Sequence, residues 1–233
     1  MTSRATPIVA LDVASAVEAL ALVRRLGSAC RFYKVGSELF TREGPAVVRA
    51  VRDEGCDVFL DLKFHDIPNT VREATRAAAS LGARLVTVHA SGGADMLRAA
   101  VEGAGPSCGV LAVTVLTSLD SAALGAVWGR DDLLVDHEVL RLAGMAGRAG
   151  AHGIVCSGRE AAQVHAAFGP SLALLVPGIR LAGGETNDQA RTATPAAAAA
   201  AGARYLILGR AVTAAKDPVR TMAQVNEELG LIT

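Results

Sequence analysis

The sequence predicts a single domain over residues 1–233 with an α/β fold, a closed (β/α)8 or TIM barrel, on three observations. Eight short apolar segments rich in Val, Leu and Ile alternate with longer segments of helical period. Polar residues hardly interrupt the short segments, as expected of parallel strands that are covered on both faces. Eight near-equal strand–helix units within 233 residues favour closure into a barrel over the alternative, a doubly wound open sheet.

The elements follow one another along the whole chain. The predicted strands are Ile8–Leu11, Phe32–Val35, Val58–Leu62, Leu85–His89, Gly109–Leu116, Gly153–Cys156, Leu172–Val176 and Tyr205–Gly209. The helical period is clearest in Ser15–Leu26, Pro68–Leu81 and Asp132–Ala149. Thr194 and Pro195 predict the start of a helix, because they match a capping residue and a first helical position, and Gly202 predicts its end. Pro218 is expected in the first turn of the last helix.

Composition excludes several classes of protein. The formal net charge is zero, whereas a nucleic-acid partner would require a basic surface, so we expect no nucleic-acid binding. The cysteines at 30, 56, 108 and 156 form no C-x-x-C pair and are interpreted as small buried hydrophobes in a reducing compartment. Residues 1–7 lack the apolar core of a signal peptide, and no apolar run reaches the ~18 residues of a membrane helix. We therefore expect a cytoplasmic protein without a membrane partner.

Charged residues collect at the carboxyl ends of the predicted strands, which is where barrels of this class place their active sites. The segment Val58–Val71 reads V-F-L-D-L-K-F-H-D-I-P-N-T-V. Asp61 and Lys63 are two residues apart in a strand, so their side chains should share one face. Lys34 and Asp12 end the two preceding strands. Burying four charges costs stability unless they pair, so a catalytic cluster explains them better than a structural one.

A second group of residues suggests a phosphate site. Arg180 follows the seventh strand, and Gly209 and Arg210 follow the eighth, where such barrels often hold a phosphate. A glycine allows close approach of the anion, and a guanidinium supplies several donors. The polar, glycine-rich segment Ala182–Gln189 is either a plain surface loop or a lid. No pair of histidines has metal-ligand spacing, so no metal is expected.

These motifs resemble a known family. D-L-K-F-H-D-I-P-N-T is similar to the signature of the orotidine 5′-phosphate decarboxylase family. The likeness extends through V-A-L-D at the first strand, Y-K-V-G at the second, V-T-V-L-T-S at the fifth, P-G-I-R at the seventh and L-G-R at the eighth. The shorter core D-x-K-x-x-D is less specific, because sugar-phosphate relatives share it, whereas the extended signature is highly specific.

The resemblance implies decarboxylation of orotidine 5′-monophosphate to uridine 5′-monophosphate by a homodimer with shared active sites and no cofactor. Lys34, Asp61 and Lys63 would form the catalytic network, with Lys63 donating a proton. Asp66, also catalytic, and Thr70 would enter the partner subunit's site. A lysine ammonium suits this chemistry because it stabilises a developing carbanion and can protonate it, where other decarboxylases use an electron-sink cofactor.

The resemblance also implies how the substrate is bound. Asp12 would bind the ribose, and Thr117 would contact the pyrimidine, with Ser118 as the alternative. The phosphate and the closed lid are assigned to Arg180, Gln189, Gly209 and Arg210.

Two other functions remain open at this point. Sugar-phosphate relatives such as keto-gulonate phosphate decarboxylase and hexulose phosphate synthase resemble the chain at D-x-K-x-x-D, but use magnesium and carry an acid on the second strand. Lys34 occupies that position here and opposes cation binding. A non-catalytic nucleotide-binding barrel would typically keep Gly209 and Arg210 but lose Lys63 or Asp61, and this sequence has all four.

Overall fold

The structure is a computed structural model that describes residues 5–181 and 193–231. Eight parallel strands pair in chain order and the eighth closes onto the first. The strands are β1 (Thr6–Ala10), β2 (Phe32–Gly36), β3 (Asp57–Phe64), β4 (Leu85–His89), β5 (Gly109–Val113), β6 (Gly153–Val155), β7 (Ala173–Val176) and β8 (Ala203–Leu208). The predicted (β/α)8 barrel is therefore confirmed, and the open-sheet alternative is wrong.

Helices connect successive strands around the barrel. They are α1 (Ala16–Leu26), α2 (Ser37–Glu43), α3 (Pro45–Asp53), α4 (Pro68–Ser80), α5 (Gly93–Ala104), α6 (Ser121–Trp128), α7 (Val135–Arg148), α8 (Ala161–Phe168), α9 (Pro195–Ala200), α10 (Arg210–Thr213) and α11 (Pro218–Glu228). The cap predicted for α9 is confirmed, because the Thr194 side chain accepts a hydrogen bond from the Ala197 N–H at 3.2 Å. Gly202, just beyond α9, has a φ of +92° that few other residues adopt.

The predicted fifth strand is three residues too long. β5 ends at Val113, opposite Val155, rather than at Leu116. Thr114 then turns its hydroxyl to the Val155 carbonyl oxygen, at 2.8 Å, and the chain leaves the sheet. Val115 is still buried beyond this point and Leu116 is exposed, so the apolar residues continue past the end of the strand and the apolar pattern does not mark where pairing stops.

Most other predicted boundaries differ from the observed ones by one or two residues. The helix expected from Asp132 begins instead at Val135, as α7. Asp132 forms an ion pair with Arg130 in the preceding loop, with a shortest separation of 3.2 Å.

The alternation of side chains along the strands separates two apolar layers. The larger layer lies between the strands and the helices and includes Val9, Tyr33, Leu60 and Val86. The smaller layer fills the barrel interior and consists of Ile8, Ala10, Phe32, Phe59, Leu85, Leu111, Ala173, Leu175, Tyr205 and Ile207. This inner layer forms the apolar floor below the candidate functional side chains.

The inward positions become polar one step closer to the carboxyl ends of the strands. On β2, Lys34 follows two residues after the inward-facing Phe32. In the same way Asp61 follows Phe59 on β3, and Thr87 follows Leu85 on β4. The barrel therefore presents polar groups from three adjacent strands above an apolar floor.

The four cysteines are buried free thiols, as predicted. Burial raises the pKa of the Cys108 thiol to about 11, which keeps it neutral. All four cysteines belong to the larger apolar layer, between the strands and the helices. Within residues 5–181 and 193–231, no helix combines the length and apolar character needed to cross a membrane.

Candidate active site

A cavity of about 320 Å³ opens at the carboxyl ends of the strands. Its apolar lining includes Phe59, Leu175 and Ile207 from the inner layer. Eight of the predicted site residues line it: Asp12, Lys34, Asp61, Lys63, Thr117, Arg180, Gly209 and Arg210. The fold thus gathers residues that are almost 200 positions apart in the sequence into one cavity.

Four of these residues form a linear chain of alternating charge. Lys34 Nζ lies 2.8 Å from Asp12 Oδ1 and 3.8 Å from Asp61 Oδ2. Lys63 Nζ donates to both Asp61 oxygens, at 2.8 and 2.9 Å. The side chains of Lys34 and Asp61 are 11% and 13% exposed, whereas that of Lys63 is 37% exposed. This charged chain of four side chains therefore ends at the ammonium group of Lys63, on the cavity wall.

This arrangement compensates each buried charge on two sides. Asp61 lies between the ammonium groups of Lys34 and Lys63, and Lys34 lies between the carboxylates of Asp12 and Asp61. Removing one partner of a buried pair typically costs about 3–5 kcal/mol, although the intact pair adds little over an apolar replacement. Stability alone therefore does not explain why the charges are here.

The backbone at Lys63 is irregular. Lys63 has a φ of +50° and is the one non-glycine residue of the described chain with a positive φ. The pairing of β3 with β4 shifts register between Leu60 and Phe64. The predicted proximity of Asp61 and Lys63 is confirmed, but regular strand alternation is the wrong reason for it. Such a conformation costs on the order of 1–3 kcal/mol and persists only where the surroundings hold it.

Thr87 on β4 is a site residue that the sequence analysis missed. Its side chain is completely buried. The hydroxyl accepts a hydrogen bond from the Lys63 backbone N–H and donates one to Asp61 Oδ1, both at 2.9 Å. The available signal was a polar residue at an inward position of the buried strand L-V-T-V-H.

Two histidines lie at the rim of the same region. The rings of His65 and His89 are 5.4 Å apart. Burial, together with the nearby His65 and Lys63, lowers the pKa of His89 below its usual value. The shift favours the neutral form of His89, and no hydrogen bond joins it to the charged chain within the described residues.

The structure separates the alternatives at the fifth strand. Thr117 lines the cavity, whereas Ser118 is exposed and lies outside the lining. Thr117 is therefore the better placed of the two for a bound ring.

Two predicted residues are not brought into this chain's own cavity. Asp66 and Thr70 are both exposed. Asp66 Oδ1 accepts a hydrogen bond from the Ile67 N–H at 2.6 Å and contacts none of the four charged residues. Gln189 and the segment Ala182–Gln189 lie outside the described residues.

The ends of β7 and β8 bring further donors to the cavity. Arg210 begins α10, directly after Gly209, and Arg180 lies in the loop after β7. A Cβ atom on Gly209 would meet nothing within 4 Å, so the space beside this backbone is open. Arg180 Nη1 donates to the Ile179 carbonyl oxygen at 3.1 Å. Two guanidinium groups therefore border an open space suited to a phosphate.

The fold and the site together define a class of protein. This is a (β/α)8-barrel enzyme whose mouth holds a lysine–aspartate cluster together with two arginines.

Comparisons with known proteins specify the family. The sequence model of the "Orotidine 5′-phosphate decarboxylase / HUMPS family" matches residues 6–225. The chain is 54% identical over 209 residues to the orotidine 5′-phosphate decarboxylase of Anaeromyxobacter sp. (strain K), covering 90% of this chain and 91% of the relative. It is 55% identical over 197 residues to that of Thermobifida fusca, covering 84% and 83%.

A solved structure supports the same family assignment. The crystal structure of orotidine 5′-phosphate decarboxylase from Lactobacillus acidophilus superposes with a TM-score of 0.86 at 35% identity, covering 97% of this chain and 99% of the other. The chain belongs to the orotidine 5′-phosphate decarboxylase / HUMPS family.

Proposed function

We propose that this protein decarboxylates orotidine 5′-monophosphate to uridine 5′-monophosphate and CO2, the last step of uridine monophosphate synthesis. It does so as a single catalytic domain over residues 1–233, in the cytoplasm and without a cofactor or metal. One observation carries the proposal: the Lys63 ammonium, held by both oxygens of Asp61, lines the same cavity as Arg210. The named relatives support the choice of substrate.

Lys63 is proposed as the proton donor. The bond between the pyrimidine ring and its carboxylate breaks, CO2 leaves, and the electron pair stays on the ring carbon. The Lys63 ammonium stabilises this developing carbanion and transfers a proton to it, which gives the product. Lys63 is suited to this role because its side chain is the more accessible of the two lysines in the charged chain.

Asp61 and Lys34 are proposed to hold Lys63 in place. Asp61 binds the Lys63 ammonium through both oxygens, which restricts the position of that ammonium group. Lys34 lies on the other side of Asp61 and balances part of its negative charge. A positioned charge in a site shielded from water stabilises a transition state more than the same charge in water. The geometry of the charged chain therefore supports preorganisation for carbanion chemistry.

The rest of the nucleotide is assigned to the remaining cavity residues. Asp12 binds the ribose and Thr117 contacts the pyrimidine, since both line the cavity. The phosphate and the closed lid are assigned to Arg180, Gln189, Gly209 and Arg210. Binding energy from the phosphate can be used to order the site around the distant reacting carbon.

We further propose a homodimer in which Asp66 and Thr70 complete the partner's site. Residues 65–70 are all exposed in the single chain. Among them Ile67 is 68% exposed, and contact with a partner subunit would remove this apolar side chain from water. A twofold interface would cover this segment in both subunits at once.

The sugar-phosphate enzymes that share the D-x-K-x-x-D core are the competing branch. The observation against that branch is Lys34, whose ammonium lies 2.8 Å from Asp12 and 3.8 Å from Asp61. A divalent cation at these carboxylates would have to displace or repel this lysine. Both relatives described above carry the decarboxylase name rather than a sugar-phosphate one.

Turnover of purified protein tests the proposal. We expect loss of orotidine monophosphate absorbance at an unchanged rate with excess chelator or with added Mg²⁺, because no step uses a cation. A hexulose phosphate or keto-gulonate phosphate offered under both conditions is expected to remain unconverted. Strict dependence on Mg²⁺, or turnover of the sugar phosphate alone, would reject the proposal in favour of the other branch.

A further inference from the structure

We propose that Thr87 is a positioning residue for this reaction: its buried hydroxyl fixes both the backbone of Lys63 and the carboxylate of Asp61. The role of Thr87 in turnover rests on the proposed function. It acts through two other residues, and Thr87 is absent from the lining of the cavity.

The direction of the two hydrogen bonds is determined. A hydroxyl group has one proton to donate. Thr87 Oγ1 accepts from the Lys63 N–H, so its own proton is free to go to Asp61 Oδ1. Asp61 Oδ1 therefore acts as an acceptor, both from Thr87 and from Lys63 Nζ.

The hydroxyl also replaces a backbone partner at the irregular part of β3. Where β3 shifts register, the Lys63 N–H donates to a side-chain oxygen of β4 rather than to a carbonyl group of the strand ladder. Lys63 is held there with φ at +50°. Thr87 is completely buried, and a valine in its place would fill the space of the lost hydroxyl, so no water could take over this bond. Loss of the hydroxyl would leave the N–H unpaired and the strained conformation without its support.

The chain contains a matched control. Thr114 is also buried, lies directly beyond the end of β5, and donates its hydroxyl to the Val155 carbonyl oxygen at 2.8 Å. It contacts neither Asp61 nor Lys63 and does not line the cavity. Replacing either threonine by valine removes one buried hydroxyl at nearly constant volume. The two variants therefore separate a general loss of stability from a loss of positioning.

The kinetic test compares Thr87→Val, Thr87→Ser and Thr114→Val. We expect kcat of Thr87→Val to fall about 10- to 100-fold, because a misplacement of about 1 Å costs up to about 10² in rate. Its Kd for uridine monophosphate should change by less than about threefold, since Thr87 does not line the cavity. Thr87→Ser should recover kcat to within about threefold of the parent, and Thr114→Val should keep the parent kcat. Thr87→Ala replaces Thr87→Val if the latter does not fold.

A second measurement does not depend on turnover. Amide hydrogen exchange at Lys63 should accelerate by about tenfold or more in Thr87→Val and stay near the parent rate in Thr87→Ser, because only the latter keeps the acceptor. Unchanged kcat in Thr87→Val, failure of Thr87→Ser to restore it, or unchanged exchange at Lys63 would each overturn the inference. A parent protein that does not convert orotidine monophosphate would instead reject the proposed function, while the exchange result would still decide the role of Thr87 at Lys63.

Discussion

Replacement of Lys63 by alanine is expected to abolish turnover of orotidine monophosphate. A general acid alone contributes about 10²–10⁴ in rate, and electrostatic stabilisation by one well-placed donor about 10²–10³ more. Lys63 supplies both in the proposed mechanism, so we expect kcat to fall by more than about 10⁴. Uridine monophosphate should still bind, because the groups assigned to its phosphate and ribose remain. Turnover and product titration on the same preparation measure the two effects.

The control for this variant is Lys216→Ala. Lys216 is exposed and lies between α10 and α11, away from the cavity. It should retain parent activity. Lys63→Ala also leaves Asp61 with one ammonium partner fewer. A thermal unfolding curve must therefore show that this variant is still folded at the assay temperature. A folded Lys63→Ala protein with a rate within about tenfold of the parent would contradict the assignment of Lys63 as proton donor.

Mixing two inactive variants is expected to restore activity if the sites are shared. Lys63→Ala and Asp66→Asn should each be nearly inactive alone. After joint unfolding and refolding at equal concentrations, half of the dimers should be hybrids. In each hybrid one site carries both defects, and the other has intact Lys63 and Asp66. Counting sites across the twofold axis gives recovery of about a quarter of parent activity.

A reciprocal mixture provides the control. The double variant Lys63→Ala/Asp66→Asn, refolded with parent protein, should form hybrids in which neither site is intact. Shared sites then leave about a quarter of all sites active, whereas unshared sites leave about half. Absence of recovery in the first mixture, with hybrids confirmed by mass spectrometry, would show that Asp66 does not serve the partner's site.

Local patterns were sufficient to predict the barrel and the charged end of β3. The eight apolar segments identify the strands because each is buried on both faces, and this property depends only on neighbouring residues. The same pattern cannot mark where pairing stops, so β5 was predicted through Leu116 although its partner strand ends opposite Val113.

Thr87 was not predictable in the same way. Its one local signal is a polar residue at an inward position of β4, and that signal is weak because threonine is common in strands. Its role depends on the register shift between β3 and β4 and on the positive φ of Lys63, which are tertiary features. The choice between Thr117 and Ser118 likewise depends on the loop that follows the shortened β5. The roles proposed for Asp66 and Thr70 would depend on a second subunit, which one sequence does not describe.

A crystal structure with bound uridine monophosphate tests the central claim most directly, namely that one nucleotide spans the cavity from Arg210 to Lys63. We expect the phosphate to contact Arg210 and the backbone at Gly209, with the pyrimidine ring against Lys63 and Thr117. The ring carbon that loses the carboxylate should face the Lys63 ammonium group. A nucleotide bound outside this cavity, or with its phosphate at Lys63 and its base at Arg210, would contradict the proposed mechanism.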